Sequence, residues 1–487
     1  MTLVFALGSN GYGQLGTGHR EDSAAAQRCL FEGPPQVEET PCSSGRSDGD
    51  GDADTTTSIE SGTGNRSGTG TENDDATTTT VTMQVKKIVA GGNHTLLLTL
   101  DGRIFAAGKP VGEFERDSDE EEQEEDQGQP TPPPPSPPPR PRQPSTRTPS
   151  TVFRECRTDF LAGATTETQT EAEATGPKRN TKCYISDVAA TWDASFFVVD
   201  RKSVYVLGTG SKGELGLDHD VHETRRPRKV FDVGHQDDDD GNGSISFTTV
   251  EAATTTITTT AAEADILTIA ASMSHVVVLL SDGRCFGWGA CRKGQLGDKF
   301  RVDKALWRPT RIDKKDSSSL LPFRPDGVVL GREYTAFFRC GKPLLVWGER
   351  KDFLHEGQQA LNHTLHKGDI VVSGWSSLHI LSCSPSSSPT VMSSGKNHRG
   401  QLAPDKLPSI TALAAGSEHC VAVTTTQDVI AWGWSEHGNC GAEVDRKGNV
   451  AGRWNVISLP PLSSKYRVTA VAGGCATTFV ICEKTRP

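Results

Sequence analysis

Length, composition and charge restrict what this chain can be. Its 487 residues are only 6% aromatic and 34% hydrophobic, which is too little apolar material for packing along the whole length. The net charge of −11 comes from three acidic runs: Asp48–Asp54 carries −4, Glu113–Asp126 carries −9 and Asp237–Asp240 carries −4. The rest of the chain sums to about +6. Because acidic runs repel phosphate backbones, we expect no direct nucleic-acid binding.

The sequence also predicts the compartment. No apolar run approaches about 18 residues and the N-terminal segment has no basic stretch, so we expect neither a membrane span nor a signal peptide. The twelve cysteines show no CxxC pair and no zinc-ligand spacing, which predicts free thiols and no metal site. We therefore expect a cytoplasmic protein, with nuclear entry left open.

Three segments are dominated by small polar, acidic or proline residues: 33–80, 113–182 and 235–264. Because they lack the apolar area that offsets chain entropy, they are predicted to be disordered loop insertions. Roughly 330 residues remain without them, enough for one closed domain spanning residues 1–487.

The first element of the chain is half of a repeat. Leu3–Gly16 reads LVFALGSNGYGQLG, an apolar strand followed by a glycine-rich loop, and the matching first half is VTAVAGGCATTFVIC at Val468–Cys482. A chain that starts with one half and ends with the other can pair its ends in one sheet and close a ring. The sequence therefore predicts a closed array.

Both halves recur seven times along the chain. The first halves begin with a short apolar run and a small-residue step, and they are Ile88–Leu100, Asp187–Asp200, Leu267–Ser281, Gly327–Cys340, Asp369–Cys383, Ile410–Thr424 and Val468–Cys482. The second halves begin at Leu7, Ile104, Val206, Cys285, Leu345, Val391 and Ile430, and those at Ile104 and Leu345 are degenerate.

Each unit reads as a four-stranded antiparallel sheet. The apolar runs are too short for helices, and Asp-Gly pairs at Asp101 and Asp282 are typical hairpin turns. Runs of small residues such as Ala414-Ala415-Gly416 are expected in strands that lie close together around a central axis, where large side chains would collide. Large aromatic side chains can pack between neighbouring sheets, and this core role is predicted for Trp288, Trp347 and Trp432. The predicted fold is all-β, a seven-bladed β-propeller closed by its terminal half-repeats.

These motifs resemble the regulator of chromosome condensation family, whose propeller repeats share the A-A-G-x-x-H and W-G-x-N-x-x-G-Q-L-G signatures. Within it, LGSNGYGQLG, WGWSEHGNCG and GGCATT are similar to the fungal α-tubulin suppressor branch, also known from killer-toxin insensitivity. That resemblance implies a non-catalytic adaptor that forms a heterodimer with a small diphthamide-pathway metalloprotein. Such a pair supports diphthamide formation on elongation factor 2 and, through Elongator, wobble-uridine modification of tRNA.

Aligning the first halves places equivalent residues on one rim of the ring. One column contains His94, His275 and His419, and we expect each to bond its own blade's loop, because a ring spreads them too far apart for a metal cluster. The two columns before it vary more, and large aromatic or charged residues there are costly to expose without a partner. The predicted partner-binding residues from these columns are Trp192, Asp193, Arg332, Trp375 and Glu418.

The loop after Trp432 departs from the other second halves. It sets Trp434, Glu436 and His437 in a glycine-bounded turn, and the resemblance to the tubulin suppressor branch implies partner contact for these three.

No motif for catalysis or cofactor binding is found, so we expect no enzyme, no catalytic residues and no cofactor. The main alternative to the adaptor is a guanine nucleotide exchange factor for a Ran-type small GTPase, which the wider family resemblance implies. No insertion resembles the β-wedge that such a factor uses. A third alternative is a scaffold for an unrelated partner.

Overall fold

The computed structural model describes residues 2–32, 83–109, 149–158, 183–234, 264–313, 321–349, 353, 359–383 and 389–485. Its strands in chain order are β1 (Thr2–Gly8), β2 (Ser23–Arg28), β3 (Phe31–Glu32), β4 (Val85–Ala90), β5 (His94–Thr99), β6 (Ile104–Gly108), β7 (Ser150–Glu155), β8 (Ile185–Ala190), β9 (Ala194–Val199), β10 (Ser203–Thr209), β11 (Glu223–Asp232), β12 (Ile266–Ala271), β13 (His275–Leu280), β14 (Cys285–Ala290), β15 (Ala305–Arg311), β16 (Gly327–Leu330), β17 (Tyr334–Phe338), β18 (Leu345–Gly348), β19 (Ile370–Ser373), β20 (Ser377–Ser382), β21 (Thr390–Gly395), β22 (Ile410–Ala415), β23 (His419–Thr424), β24 (Val429–Trp434), β25 (Asn449–Val456), β26 (Tyr466–Gly473) and β27 (Thr477–Lys484). A 3-10 turn (Asp298–Val302) and a short helix α1 (Gln359–Asn362) complete the described elements.

The strands form seven sheets, which are the blades of a propeller. Blade 1 contains β4–β7 with β3 added in parallel beside β7, blade 2 contains β8–β11, blade 3 β12–β15, blade 4 β16–β18, blade 5 β19–β21, blade 6 β22–β25, and blade 7 β26, β27, β1 and β2. The predicted seven-bladed propeller is confirmed. Four strands are predicted for every blade, whereas blades 4 and 5 show three among the described residues.

Blade 7 closes the ring as predicted. Strand β1 pairs with β27 antiparallel in an unbroken register from Thr2↔Glu483 to Gly8↔Thr477. Phe5 and Leu7 of β1 are buried to 2% exposure or less. The N-terminal strand is therefore an interior strand of the last blade, so the ring is joined within a sheet.

The hydrophobic core lies between the blades. Strand β5 shows the pattern: Leu97 packs toward blade 7, while Leu96 and Leu98 pack toward blade 2, and all three are fully buried. This follows from the two-residue period of a strand, because successive side chains point to opposite faces of the sheet. Both faces of a blade thus contribute side chains to the junctions with the two adjacent blades.

The Trp-Gly steps anchor these junctions. Trp288 and Trp432 are fully buried, and their indole N–H groups donate to the carbonyls of Glu214 and Gln401 in the preceding blade at 2.8 and 3.2 Å. Trp347 is half-buried against Phe337 of its own blade, with ring centroids 4.8 Å apart. The prediction that these tryptophans are core residues is confirmed for the first two.

The G-Q-L step has the same structural role in the three blades that contain it. The glutamine side chain accepts a hydrogen bond from the amide two residues earlier, at 2.9 Å in all three cases: Tyr12 to Gln14, Lys293 to Gln295 and Arg399 to Gln401. The next residue fills a gap in the core where it is Leu15 or Leu296, both fully buried.

One predicted insertion boundary is wrong. Segments 33–80 and 235–263 lie outside the described residues, and so does 113–182 except for residues 149–158. Those ten residues contain β7, an integral strand of blade 1 in which Phe153 is fully buried and stacks on Phe31 at 5.2 Å. The surrounding proline-rich composition hides this short strand in the sequence. No helix among the described residues is long and apolar enough to span a membrane.

Candidate partner-binding face

A partial belt of backbone hydrogen bonds joins neighbouring loops at five blade junctions around one mouth of the central channel. The inner strands end here in short loops, and the amide of one loop donates to a carbonyl in the loop of the next blade. The pairs and their N–O distances are Gly92 to Trp192 (2.8 Å), Trp192 to Met273 (3.3 Å), Arg332 to Trp375 (2.8 Å), Trp375 to Ser417 (2.6 Å) and Ser417 to Gly474 (2.9 Å). The belt places residues of the predicted rim columns on one surface.

Trp192 and Trp375 meet over this mouth. They come from blades 2 and 5, on opposite sides of the ring, and their ring centroids lie 6.0 Å apart at an interplanar angle of 38°. Both side chains are half-buried and border a channel cavity of about 410 Å³. The channel wall below them is made largely of small and aliphatic residues from the inner strands. The two indoles therefore form an apolar patch at the centre of the face.

A polar pocket of about 370 Å³ opens beside this patch, between blades 4, 5 and 6. We call it the rim pocket. Four of the eight predicted partner-binding residues line it: Arg332, Trp375, Glu418 and Trp434. Trp375 borders both the pocket and the channel mouth, so the apolar patch and the polar pocket are continuous.

Five further polar side chains line the rim pocket and were not predicted from the sequence: Glu333, Glu349, Lys396, His398 and Arg399. The Arg399 guanidinium carbon lies 4.8 Å from the centroid of the Trp434 ring, a cation–π arrangement. The sequence could have indicated three of them, because the segment KNHR places Lys396, His398 and Arg399 in the second half of the fifth repeat.

Glu418 is held in the pocket by two side-chain hydrogen bonds. One of its carboxylate oxygens accepts hydrogen bonds from Ser376 Oγ at 2.7 Å and from Gln401 Nε2 at 2.8 Å. Burial raises the pKa of Glu418 above its usual value, against the lowering effect of these two hydrogen bonds. Its position is thus fixed before any partner arrives.

Asp193 is a predicted residue that the structure places elsewhere. It lies at the junction of blades 1 and 2, where its carboxylate accepts from Asn93 Nδ2 at 3.1 Å and pairs with Lys109 Nζ at 3.2 Å. It is therefore a half-buried inter-blade contact on the same rim, outside the rim pocket.

The Trp434 loop makes contacts within the chain. Trp434 Nε1 donates to Glu436 Oε2 at 3.1 Å, and the exposed Glu436 does not line the rim pocket. His437 pairs with Asp22 in the loop of blade 7 at 2.7 Å and lies edge-on to Trp434. Only Trp434 of these three reaches the pocket.

The histidine column links neighbouring blades, and the expectation of bonds within each blade is wrong. The Nε2 atoms reach a hydroxyl of the next blade in each case: His94 to Ser195 at 3.0 Å, His275 to Thr335 at 3.2 Å and His419 to Thr478 at 3.0 Å. Burial lowers the pKa of these histidines from 6.5 to about 4, about 3 and about 4 respectively. They are neutral structural groups.

Known proteins resemble this chain in its repeats. The model of the regulator of chromosome condensation (RCC1) repeat matches residues 85–110 and 410–439, so the chain contains repeats of that family. The RCC1 repeat-containing protein C10F6.04 of Schizosaccharomyces pombe is 26% identical over 298 residues, which cover 60% of this chain and 72% of the relative. The secretion-regulating guanine nucleotide exchange factor of Bos taurus is 21% identical over 99% of this chain and 83% of its own length.

A solved structure shares the fold. The crystal structure of Prp20p from Saccharomyces cerevisiae, described with its binding properties to Gsp1p and histones, superposes with a TM-score of 0.58 at 14% identity. The alignment covers 100% of this chain and 92% of Prp20p.

These comparisons overturn the predicted role in diphthamide formation and Elongator-dependent tRNA modification. A relative that aligns with nearly the whole chain is named for guanine nucleotide exchange and not for that pathway. The predicted RCC1 repeats are confirmed at residues 85–110 and 410–439, whereas the narrower assignment to the α-tubulin suppressor branch is not confirmed.

Proposed function

We propose that the protein is a guanine nucleotide exchange factor for a Ran-type small GTPase, which it engages through the channel mouth and the rim pocket. The observation that carries this proposal is the full-length alignment with a relative named for guanine nucleotide exchange. The RCC1 repeats and the propeller shared with Prp20p agree with it.

The geometry of the face suits that task. Nucleotide exchange needs no bond-making residue, because an exchange factor acts by binding the nucleotide-free GTPase more tightly than the loaded one. By linkage, the nucleotide then binds more weakly to the complex by the same factor. A surface whose side chains are already held by hydrogen bonds suits nucleotide displacement, because ordering the face on binding would use part of the binding free energy.

Each part of the face has an expected contribution. Trp192 and Trp375 supply central aromatic anchors, the residue type most often found at interface hot spots. The exposed Arg332 and the fixed carboxylate of Glu418 supply charges of both signs beside them. In a GTPase, charged loops hold the nucleotide phosphates and Mg²⁺. A pocket with charges of both signs is electrostatically complementary to such loops.

The test is release of fluorescent GDP from a purified Ran-type GTPase of the same organism, with and without the protein. We expect faster release, and a nucleotide-free complex that excess GDP dissociates. Binding without any acceleration would support a scaffold, and the absence of both binding and acceleration would reject the proposal.

A further inference from the structure

A second cluster of functional side chains lies at the opposite end of the channel from the proposed partner face. Strand β19 runs from Ile370 toward the mouth at Trp375, so Asp369, which directly precedes it, lies at the far end. His363 and His366, in the segment between α1 and β19, converge on Asp369. In sequence the three form an H-x₂-H-x₂-D pattern.

The ligand atoms of this cluster are close together. His363 Nε2 lies 2.9 Å and His366 Nδ1 lies 3.8 Å from Asp369 Oδ2. All three ligand atoms fall within 4.8 Å of one another. Around a tetrahedral Zn²⁺ with bonds of about 2.0–2.2 Å, neighbouring ligand atoms are about 3.3–3.6 Å apart. Small rotations of the two imidazoles are therefore enough to reach coordination distance.

The carboxylate is held in place by the backbone. The side chain of Asp369 is 1% exposed, and its Oδ2 accepts a hydrogen bond from the His366 amide at 2.9 Å. Its Oδ1 accepts from the Cys383 amide, also at 2.9 Å. Such outer hydrogen bonds are the usual means of fixing a ligating carboxylate. Oδ2 remains directed toward both imidazoles.

The donor set selects a class of metal. Two imidazole nitrogens and one carboxylate oxygen suit Zn²⁺ and other divalent first-row transition metals, whereas Mg²⁺ and Ca²⁺ prefer oxygen ligands only. Three protein ligands leave one position of a tetrahedron for water. His366 is 56% exposed, so solvent can reach the cluster on that side.

We propose that His363, His366 and Asp369 bind one divalent transition-metal ion, with Zn²⁺ as the best match. The ion takes the place of the proton between His363 Nε2 and Asp369 Oδ2. It joins the segment after α1 to the start of β19. This proposal is independent of the proposed exchange activity, because the two sites lie at opposite ends of the channel.

The experiment is a metal-buffered titration of the full chain with Zn²⁺, together with the visible spectrum of its Co²⁺ form. We expect one equivalent per chain, a Co²⁺ spectrum without a thiolate charge-transfer band, and a Tm that rises by about 2 °C or more on Zn²⁺ addition. His366→Gln, at an exposed position, and His363→Gln are each expected to weaken binding at least about 10- to 100-fold.

His222→Gln is the matched control, because His222 is an exposed histidine on blade 2, and it should leave the titration unchanged. Zn²⁺ binding of equal strength in the wild type and in both cluster variants would overturn the proposal. So would a Co²⁺ spectrum dominated by thiolate ligands, or the absence of a one-to-one complex with folded wild-type protein.

Discussion

His419 illustrates how a repeated residue can stabilise a fold without acting in function. Its ring packs against Gly416, where an added Cβ would lie 2.1 Å from the ring, and its Nε2 reaches Thr478 of the next blade. His94 packs against Gly91 in the same way. At these two positions, glycine leaves the space that the imidazole occupies. The A-G-x-x-H signature describes an inter-blade contact.

These neutral histidines should make stability depend on pH. Burial lowers the pKa of His419 from 6.5 to about 4, so the unfolded chain binds a proton below pH 6.5 that the folded chain does not. The stability associated with the neutral form is present above pH 6.5 and is lost as the pH falls toward 4. We expect about 1.5 kcal/mol per buried histidine between pH 6.5 and 5. Urea unfolding of wild type and His419→Gln at both pH values measures it.

The variant should lose less stability than the wild type over this interval, by about that amount. Thr478→Val is the control, because it removes the hydroxyl partner but keeps the titrating imidazole, so its pH dependence should stay as steep as that of the wild type. Equal pH slopes for wild type and His419→Gln would contradict the assignment.

Among the elements, β7 is a strand in a segment whose composition predicts disorder. It pairs with β6 on one side and β3 on the other, although it lies within a proline-rich range. Phe153 contributes a fully buried ring to the junction of blades 1 and 7.

Phe153→Ala should therefore destabilise the protein by about 3–5 kcal/mol, the usual cost of a large cavity in a packed core. Deleting 113–182 removes the whole strand and should cost more. Thermal unfolding measures both, with Thr151→Ala, at a partly exposed position of the same strand, as the control. A Tm for Phe153→Ala equal to that of the wild type would show that β7 is dispensable.

At the scale of the whole molecule, the pairing of β1 with β27 determines whether the ring is closed. Removing residues 1–8 would leave β27 with an unpaired edge and would take Phe5 and Leu7 out of the core. Total stability is only about 5–15 kcal/mol, so we expect the truncated chain to lose cooperative unfolding and to self-associate through the open edge. Calorimetry and gel filtration test this, with Tyr12→Ala, an exposed position just beyond β1, as the control. A monomer with the wild-type Tm would contradict closure by this strand.

The fold was predictable because its contacts recur. Glycine, tryptophan and glutamine positions recur in several units for local reasons that a single sequence displays, as Gln14 and Gln295 show. The meeting of Trp192 with Trp375 was not predictable. It joins blades 2 and 5, and depends on the curvature of the closed ring.

The predicted function failed for a related reason. The loop containing Trp434 resembles the tubulin suppressor branch, yet several of its conspicuous side chains make contacts within the chain. Ser435 Oγ donates to the Gly441 carbonyl, Glu436 accepts from Trp434, and His437 pairs with Asp22. A motif maintained by internal bonds carries information about the fold and little about the partner.

The measurement that tests the central claim most directly is GDP release from the Ran-type GTPase, catalysed by wild type, by the double variant Trp192→Ala/Trp375→Ala and by Trp307→Ala. Trp307 is a half-buried tryptophan on the outer strand β15 and provides the matched control. We expect acceleration by the wild type and the control, and at least about a tenfold loss in the double variant, as for a central aromatic hot spot. Undiminished exchange by a folded double variant would contradict the assignment of the channel mouth, and no exchange by the wild type would contradict the function.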